Sequence, residues 1–183
     1  FGQSFDTHFA ESVDLLTGAL PAQYGFNTAG IVEIKTKGGK FNKGGRSEIT
    51  LGGNQTLGFN QQISGFRNNL NYYLNASYLQ NNRGLEPPTA ARNPIHDETR
   101  QNKLFGYFSY LLDAQKRLSL IIANSENNFQ IPNNPGQDVA FELAGLDAKP
   151  SANLNERQKE ANRYAILALQ GVSNNDVDYQ LSL

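Results

Sequence analysis

An uncharged run of alternating apolar and polar residues occupies positions 69–80. Successive side chains of a β-strand point to opposite faces, so this run predicts a strand with one apolar face and one face rich in amides. A register shift of one residue would exchange the two faces, so the pattern fixes the face that each residue joins. The apolar face holds Leu70, Tyr72, Leu74, Ala76 and Tyr78, and the polar face holds Asn69, Asn71, Tyr73, Asn75 and Ser77.

The same alternation recurs along most of the chain. We therefore predict a mainly β fold in which antiparallel strands follow one another from about residue 47 to residue 183. The remaining clear strands are predicted at 103–112, 117–124, 163–172 and 176–183, and two weaker ones at 46–53 and 55–66.

The connections between these strands differ in length in a regular way. Short turns at 67–68, 113–115 and 173–175 fall at one end, and long loops at about 82–102 and 125–162 fall at the other. Outer-membrane barrels have short periplasmic turns and long external loops. The sorting therefore favours the antiparallel strands of an incomplete transmembrane β-barrel. Antiparallel sandwiches alternate as well, so a soluble or surface-exposed β-sandwich module for binding or adhesion remains the alternative.

A lipid environment would account for the missing charge at 70–80. Strands that cross a bilayer must close into a barrel, and a Lys or Arg on the lipid face at mid-depth costs about 2–4 kcal/mol. Tyr72, Tyr110 and Tyr164 lie near strand ends, where we expect an aromatic girdle. The longest apolar stretch, 118–123, is far shorter than the roughly 20 residues of a membrane helix, so no helix is predicted to span a bilayer.

The composition argues against several classes of function. The 16 basic and 17 acidic residues nearly cancel, and phosphate binding needs clustered Lys and Arg, so we expect no nucleic acid partner. The lack of cysteine removes thiolate metal sites and thiol nucleophiles, and no nucleophile has a base at a recognisable spacing. We expect no enzymatic activity, no metal and no cofactor. The glycine-rich stretch 38–46 lacks the spacing of a phosphate-binding loop.

The first 38 residues differ in character from the rest of the chain. Phe5, Phe9 and Val13 recur at every fourth position, which suits a short helix, and residues 13–18 suit a short strand that ends at a glycine. A second strand is predicted at 31–37. We expect the C-terminal part of an α/β unit at 1–38 and a linker at 39–46.

The order of motifs in this region resembles the end of the plug domain of TonB-dependent outer-membrane receptors. Those plugs carry a pattern like VEVLRG…YG…GGVINIVTK. The corresponding segments here are VDLLTG at 13–18, YG at 24–25 and AGIVEIKTK at 29–37. The block at 69–85 and the loop sequences RGLEPPTAARNPIHD and FQIPNNPGQ resemble the subgroup with a carboxypeptidase-regulatory-like N-terminal extension. The structural residues of the motif are Gly18, Tyr24, Gly25, Gly30, Lys35 and Thr36.

The resemblance implies that the chain is a fragment of a receptor and transporter in the outer membrane of a Gram-negative bacterium. Residues 47–183 would then be the first seven or so strands of a barrel of about 22 strands, with outer-membrane lipid around it. The TonB complex would pull on a segment missing from this chain. The ligand, a small molecule, a glycan or a peptide, would meet the external loops, where the candidate residues are Glu86, Arg92, His96 and Asp97.

Overall fold

Two antiparallel sheets form the part of the chain that the computed structural model describes, which is residues 7–18, 25, 30–37, 43–83, 96–133, 144–145, 150–173 and 177–183. The mainly β class with antiparallel pairing is thereby confirmed. In these residues the helical segments are two 3-10 turns, Thr7–Phe9 and Ser151–Asn153. None of the helical segments described has the length and apolar content needed to cross a membrane.

The small sheet pairs β1, Ala10–Leu16, with β2, Ile31–Thr36. Its register places Leu16 opposite Ile31. The helix expected around Phe9 and Val13 is wrong, because Phe9 ends a 3-10 turn and Val13 lies within β1. Pairing with β2 satisfies the backbone groups of β1, and this long-range ladder outweighs a local helical period. The strand expected at 13–18 is found, and it begins earlier, at Ala10.

The large sheet has seven strands in the order of the sequence, each antiparallel to the next. It is not closed into a barrel, since its outermost strands are paired on one side only. Each predicted strand between 46 and 183 coincides with one strand of this sheet. The strands are β3 Gly44–Gly52, β4 Thr56–Arg67, β5 Leu70–Asn81, β6 Thr99–Leu111, β7 Lys116–Gln130, β8 Arg157–Val172 and β9 Asp178–Ser182.

Three predicted boundaries need correction. The linker at 39–46 ends earlier, since β3 begins at Gly44, and the first long loop at 82–102 gives way to β6 at Thr99. The second long loop, predicted at 125–162, is shorter at both ends, since β7 continues to Gln130 and β8 begins at Arg157. Polar residues in these extensions hide the alternation, while cross-strand pairing continues through them.

The predicted sorting of the connections holds in the structure. The β4–β5, β6–β7 and β8–β9 connections are short and lie at one end of the sheet, which we call the turn end. The β5–β6 and β7–β8 connections are long and lie at the opposite end, which we call the loop end. The β3–β4 turn is also at the loop end, and it is short, with Asn54 and Gln55 in the left-handed region at φ 54° and 55°.

Gly30 sits where the chain enters β2 and has a backbone that other residues rarely adopt. Its φ is 131°, and a Cβ atom placed on it would lie 3.0 Å from the carbonyl oxygen of Leu16. Because the close neighbour is a backbone atom of the paired strand, a side chain here would push the two strands apart.

We expect Gly30→Ala to weaken the small sheet by about 1–3 kcal/mol, through strain at a positive φ. Hydrogen exchange of the β1 and β2 amides, followed by mass spectrometry, measures the loss. Gly53→Ala is the matched control, since a Cβ there has nothing within 4 Å, and its own amides should exchange as before. Unchanged protection of β1 in Gly30→Ala would contradict the proposed strain.

Candidate functional site

In the large sheet the apolar face is the exposed one and the polar face is the buried one, which is the reverse of a soluble sheet. We call the face that carries Leu74 and Leu120 the outer face, and the face that carries Asn75 the inner face. Several apolar residues of the outer face are 43–46% exposed, whereas polar residues of the inner face are 1–8% exposed. The exposed set is Leu57, Phe59, Ile63, Leu104, Tyr110 and Leu167, and the buried set is Asn60, Gln62, Asn75, Ser109, Ser125 and Asn127.

The buried amides of β4 and β5 are joined by hydrogen bonds along the inner face. Asn60 Nδ2 donates to Asn75 Oδ1 at 2.9 Å, and Gln62 Nε2 donates to Asn60 Oδ1 at 3.0 Å. The Tyr73 hydroxyl lies 3.3 Å from Gln62 Oε1. Burying an amide costs free energy unless it is hydrogen-bonded, so this network makes a polar face tolerable away from water.

The segment before the small sheet is docked on this polar face. The rings of Phe9 and Phe105 stack with centroids 4.5 Å apart, and Tyr73 is tilted against Phe105 at 6.2 Å. Each of the three is at most 6% exposed. The carbonyl oxygen of His8 accepts hydrogen bonds from the Tyr73 hydroxyl at 2.8 Å and from Lys37 Nζ at 2.9 Å. The contact therefore joins the two sheets by aromatic packing and by hydrogen bonds.

The predicted plug-motif residues take structural positions around the small sheet. Gly18, Gly25 and Gly30 have positive φ values of 92°, 69° and 131°, which suits glycine at turns. Lys35 Nζ lies 3.4 Å from Asp14 Oδ2 on an exposed surface, where such a pair stabilises by about 0–1 kcal/mol. Thr36 pairs with Ala10 at the end of the sheet. Tyr24 lies outside the described residues.

Two of the four candidate loop residues lie at the loop end of the sheet, and the other two, Glu86 and Arg92, fall outside the described residues. His96 has a φ of 61°, and its Nδ1 lies 3.4 Å from Asn133 Oδ1. Asp97 is 2% exposed, and among the described residues neither of its carboxylate oxygens has a hydrogen-bond partner. Burial raises the pKa of this carboxyl. His96 and Asp97 are adjacent in sequence, but among the described residues their side chains share no hydrogen-bond partner.

Charged residues at the loop end of the outer face escaped the sequence analysis, because all but Arg163 fall in stretches predicted as loop. Glu98 pairs with Arg100 and, at 3.5 Å, with Arg157. Glu126 pairs with Lys159 at 2.8 Å and Arg163 at 3.6 Å. The acidic Glu126 of β7 and the basic Lys159 and Arg163 of β8 have complementary charges. This complementarity is the signal that could have revealed the extension of β7 and β8.

One of the three tyrosines expected in the aromatic girdle, Tyr164, lies on the wrong face of the sheet. Tyr72 and Tyr110 lie on the outer face, as a girdle requires, and the Tyr72 ring covers its cross-strand partner Gly65. Tyr164 pairs with Ala123, and Ala123 pairs with the buried Phe105. Tyr164 therefore lies on the inner face and cannot belong to an outward-facing girdle.

No known protein family, curated protein or solved structure matches this chain. Within the described ranges, no group of three or more His, Asp or Glu side chains is assembled as a metal site.

We expect the Phe9–Phe105 stack to contribute measurably to docking. Phe9→Ala should lower the free energy of opening of the β1 region by about 3 kcal/mol, since it removes a buried ring. Combined with Phe105→Ala, it should give a coupling energy of about 1 kcal/mol in a double-mutant cycle. Hydrogen exchange of the 7–16 peptide measures both. Val13→Ala, at a 58% exposed position of the neighbouring strand β1, should change the value by less than about 0.5 kcal/mol.

Asp97→Asn should stabilise the protein at neutral pH, by about 1–3 kcal/mol, because it removes a buried charge that has no hydrogen-bond partner within the described ranges. The raised pKa sets the sign: below about pH 3 both states are protonated and the gain vanishes, and it grows as the pH rises through the unfolded value near 4. Urea unfolding at two pH values measures this.

Asp113→Asn is the control, and its effect on the free energy of unfolding at neutral pH should have the opposite sign. The Gln115 backbone N–H donates to Asp113 Oδ1 at 2.8 Å and lowers the pKa of that carboxyl. Its contribution to stability is therefore present above the unfolded pKa and lost on acidification. Equal pH profiles for the two variants would contradict the assignment.

Proposed function

We propose that this chain is part of an outer-membrane receptor of a Gram-negative bacterium that takes up a scarce ligand with energy supplied by the TonB complex. The observation that carries the proposal is the inverted polarity of the large sheet, whose apolar face is exposed and whose amide face is buried. The motif at 13–37 supports it through its resemblance to the end of the receptor plug.

The inverted polarity follows from the energetics of a bilayer. In water, an antiparallel sheet gains most by turning its apolar face inward. In a membrane barrel, the apolar face meets hydrocarbon and the polar face surrounds the interior. The outer face of this sheet, with side chains such as Leu104 and Leu167 more than 40% exposed, fits the second case. A sandwich would need a second sheet packed on that face, and the contact that the structure shows, from Phe9 just before the small sheet, is with the inner face instead.

The height of the uncharged outer band of β7 fits a membrane. Its outward residues between Lys116 and Glu126 are the apolar Leu118, Leu120 and Ile122 and the polar Asn124, and the two charged residues are ten positions apart (126 − 116 = 10). At a rise of about 3.3 Å per residue the span is about 33 Å, or about 25 Å at a tilt near 40°. The apolar band of outer-membrane barrels is about 25 Å tall. The ion pairs of Glu126 and Glu98 would then lie at the external boundary.

The docked N-terminal segment supports the plug assignment. A plug fills the barrel interior, so it must contact the polar face of the barrel wall. Phe9 and His8 make this kind of contact with Tyr73 and Phe105 of the inner face. The remaining strands of the barrel and the coupling segment would come from the rest of a longer polypeptide, and the long loops would meet a small-molecule, glycan or peptide ligand.

Adjacent residues of β8 give a matched test of the lipid face. Leu167 on the outer face is 43% exposed and Ile166 on the inner face is 41% exposed. The chain has no cysteine, so Leu167→Cys and Ile166→Cys can each be labelled with an environment-sensitive fluorophore. Each variant is introduced into the whole protein that the gene encodes and is expressed in its natural host. The outer-membrane fraction is then reconstituted with lipids that carry nitroxide quenchers on their acyl chains.

We expect lipid quenching of the fluorophore at position 167 to exceed that at position 166 several-fold. Equal quenching at both positions, or recovery of the protein in the aqueous fraction, would favour the sandwich module and refute the membrane assignment. Cross-linking to TonB in living cells tests energised uptake separately. If the protein resides in the outer membrane but never cross-links to TonB, the lipid-face assignment stands and the proposed role in energised transport is refuted.

A further inference from the structure

We infer that a charged cluster at the loop end of the outer face binds the phosphate groups of anionic membrane lipids. The cluster consists of Glu98, Arg100, Glu126, Arg157, Lys159 and Arg163. The inference rests on the proposed function, because it takes the outer face to be the lipid face. It adds the kind of lipid that this face selects.

The strand register places the cluster on three neighbouring strands. Arg100 of β6 and Lys159 of β8 both pair with Asn128 of β7, so the two basic residues stand on either side of it. At a strand spacing of about 4.8 Å, their Cα atoms are about 10 Å apart. Both side chains can therefore reach one lipid headgroup.

Two glutamates hold four basic side chains within the cluster. Glu98 contacts Arg100 and, at 3.5 Å, Arg157. Glu126 contacts a lysine at 2.8 Å and an arginine at 3.6 Å. Four positive charges against two negative charges leave a net charge of +2 (4 − 2 = 2). The ion pairs thus neutralise only half of the positive charge.

The basic groups form the exposed surface of the cluster, and the acids lie beneath them. The glutamate side chains are 20% and 28% exposed, whereas the four basic side chains are 49–68% exposed. Arg163 is also fixed from the side, since its Nε donates to Asn124 Oδ1 at 2.8 Å. Such contacts orient the long side chains before a ligand arrives, which lowers the entropy cost of binding.

The chemistry of these side chains selects a phosphate. A guanidinium group has five N–H donors, so contact with one carboxylate leaves others for a second anion. Its planar fork matches two phosphate oxygens, and a lysine adds a point charge. A surface with excess positive charge should prefer a lipid whose phosphate is not neutralised by a choline group.

The cluster begins where the uncharged part of the outer face ends. The outward residues of β8 at 165–171 are uncharged, and the next one is Arg163. On β6 the outward residues at 102–110 are uncharged, and the next one is Arg100. Lys159 lies four positions beyond Arg163, which is about 13 Å along the strand and about 10 Å of depth at a tilt near 40°.

This position corresponds to the headgroup layer of a bilayer. That layer adds about 5–8 Å on each side of the hydrocarbon core, and long basic side chains can bridge the remaining distance. The uncharged band would lie in hydrocarbon, and the cluster would meet the lipid phosphates. Anionic lipids would then gather around the loop end of the proposed receptor.

A fluorophore on Leu104→Cys reports which lipids lie beside the cluster. Leu104 is on the outer face, is 44% exposed and pairs with Asn124, the partner of Arg163. The variant is introduced into the whole protein that the gene encodes and reconstituted into phosphatidylcholine bilayers. A small fraction of nitroxide-labelled lipid is added, either phosphatidic acid or phosphatidylcholine with the same acyl chains.

We expect labelled phosphatidic acid to quench about threefold more strongly than labelled phosphatidylcholine, because it carries an uncompensated phosphate charge. Lys159→Gln combined with Arg163→Gln should lower this ratio at least by about half. The matched control is Arg67→Gln combined with Lys116→Gln, which removes two basic residues from the outer face at the turn end. Its ratio should equal that of the parent protein.

Quenching by phosphatidylcholine separates this inference from the proposed function. Absence of quenching by either lipid would refute the lipid face itself. Equal quenching by the two lipids, or the same decrease in both double variants, would overturn the phosphate site and leave the lipid face standing. Loss of the preference in millimolar inorganic phosphate, but not in chloride of equal ionic strength, would indicate a site for free phosphate and would also overturn the lipid assignment.

Discussion

The polarity of the large sheet is the constraint on which the other features depend. Its backbone hydrogen bonds can be satisfied in any solvent, so the sheet alone does not choose an environment. The choice comes from the side chains: amides such as Asn75 are buried and bonded to one another, and leucines such as Leu167 stay exposed. An exposed apolar face of this extent is costly in water and costs little in hydrocarbon. Everything proposed about location follows from that difference.

The same polarity explains how the two sheets meet. A polar wall offers few apolar contacts, and docking therefore concentrates on one aromatic cluster, where Phe9 stacks on Phe105 beside Tyr73. Hydrogen bonds to the His8 carbonyl fix the direction of the entering segment. The contact is small compared with a protein core. A small interface suits a segment that stays attached and can still move, as the plug of the proposed receptor would have to.

The strands could be predicted because alternation is a local signal, and where alternation was lost the prediction failed. Residues 124–130 are mostly polar, so β7 seemed to end at 124, yet cross-strand partners carry it to Gln130. The four-residue spacing of Phe9 and Val13 suggested a helix, and pairing with β2 overrode it. Asp97 was selected as a candidate loop residue for ligand binding, and the sequence did not reveal that it is only 2% exposed, because burial depends on residues distant along the chain.

The sequence by itself determined the strand class, the face each residue joins and the regular alternation of short and long connections, because these depend on periods of two residues and on nearby turns. Only the tertiary structure decided which face is covered and by what. Part of the amide face is covered because residues far away in the chain come to lie on it, as Phe9 does against Phe105. Such contacts depend on where strands pair, and a period within one strand carries no information about the partner that will cover it.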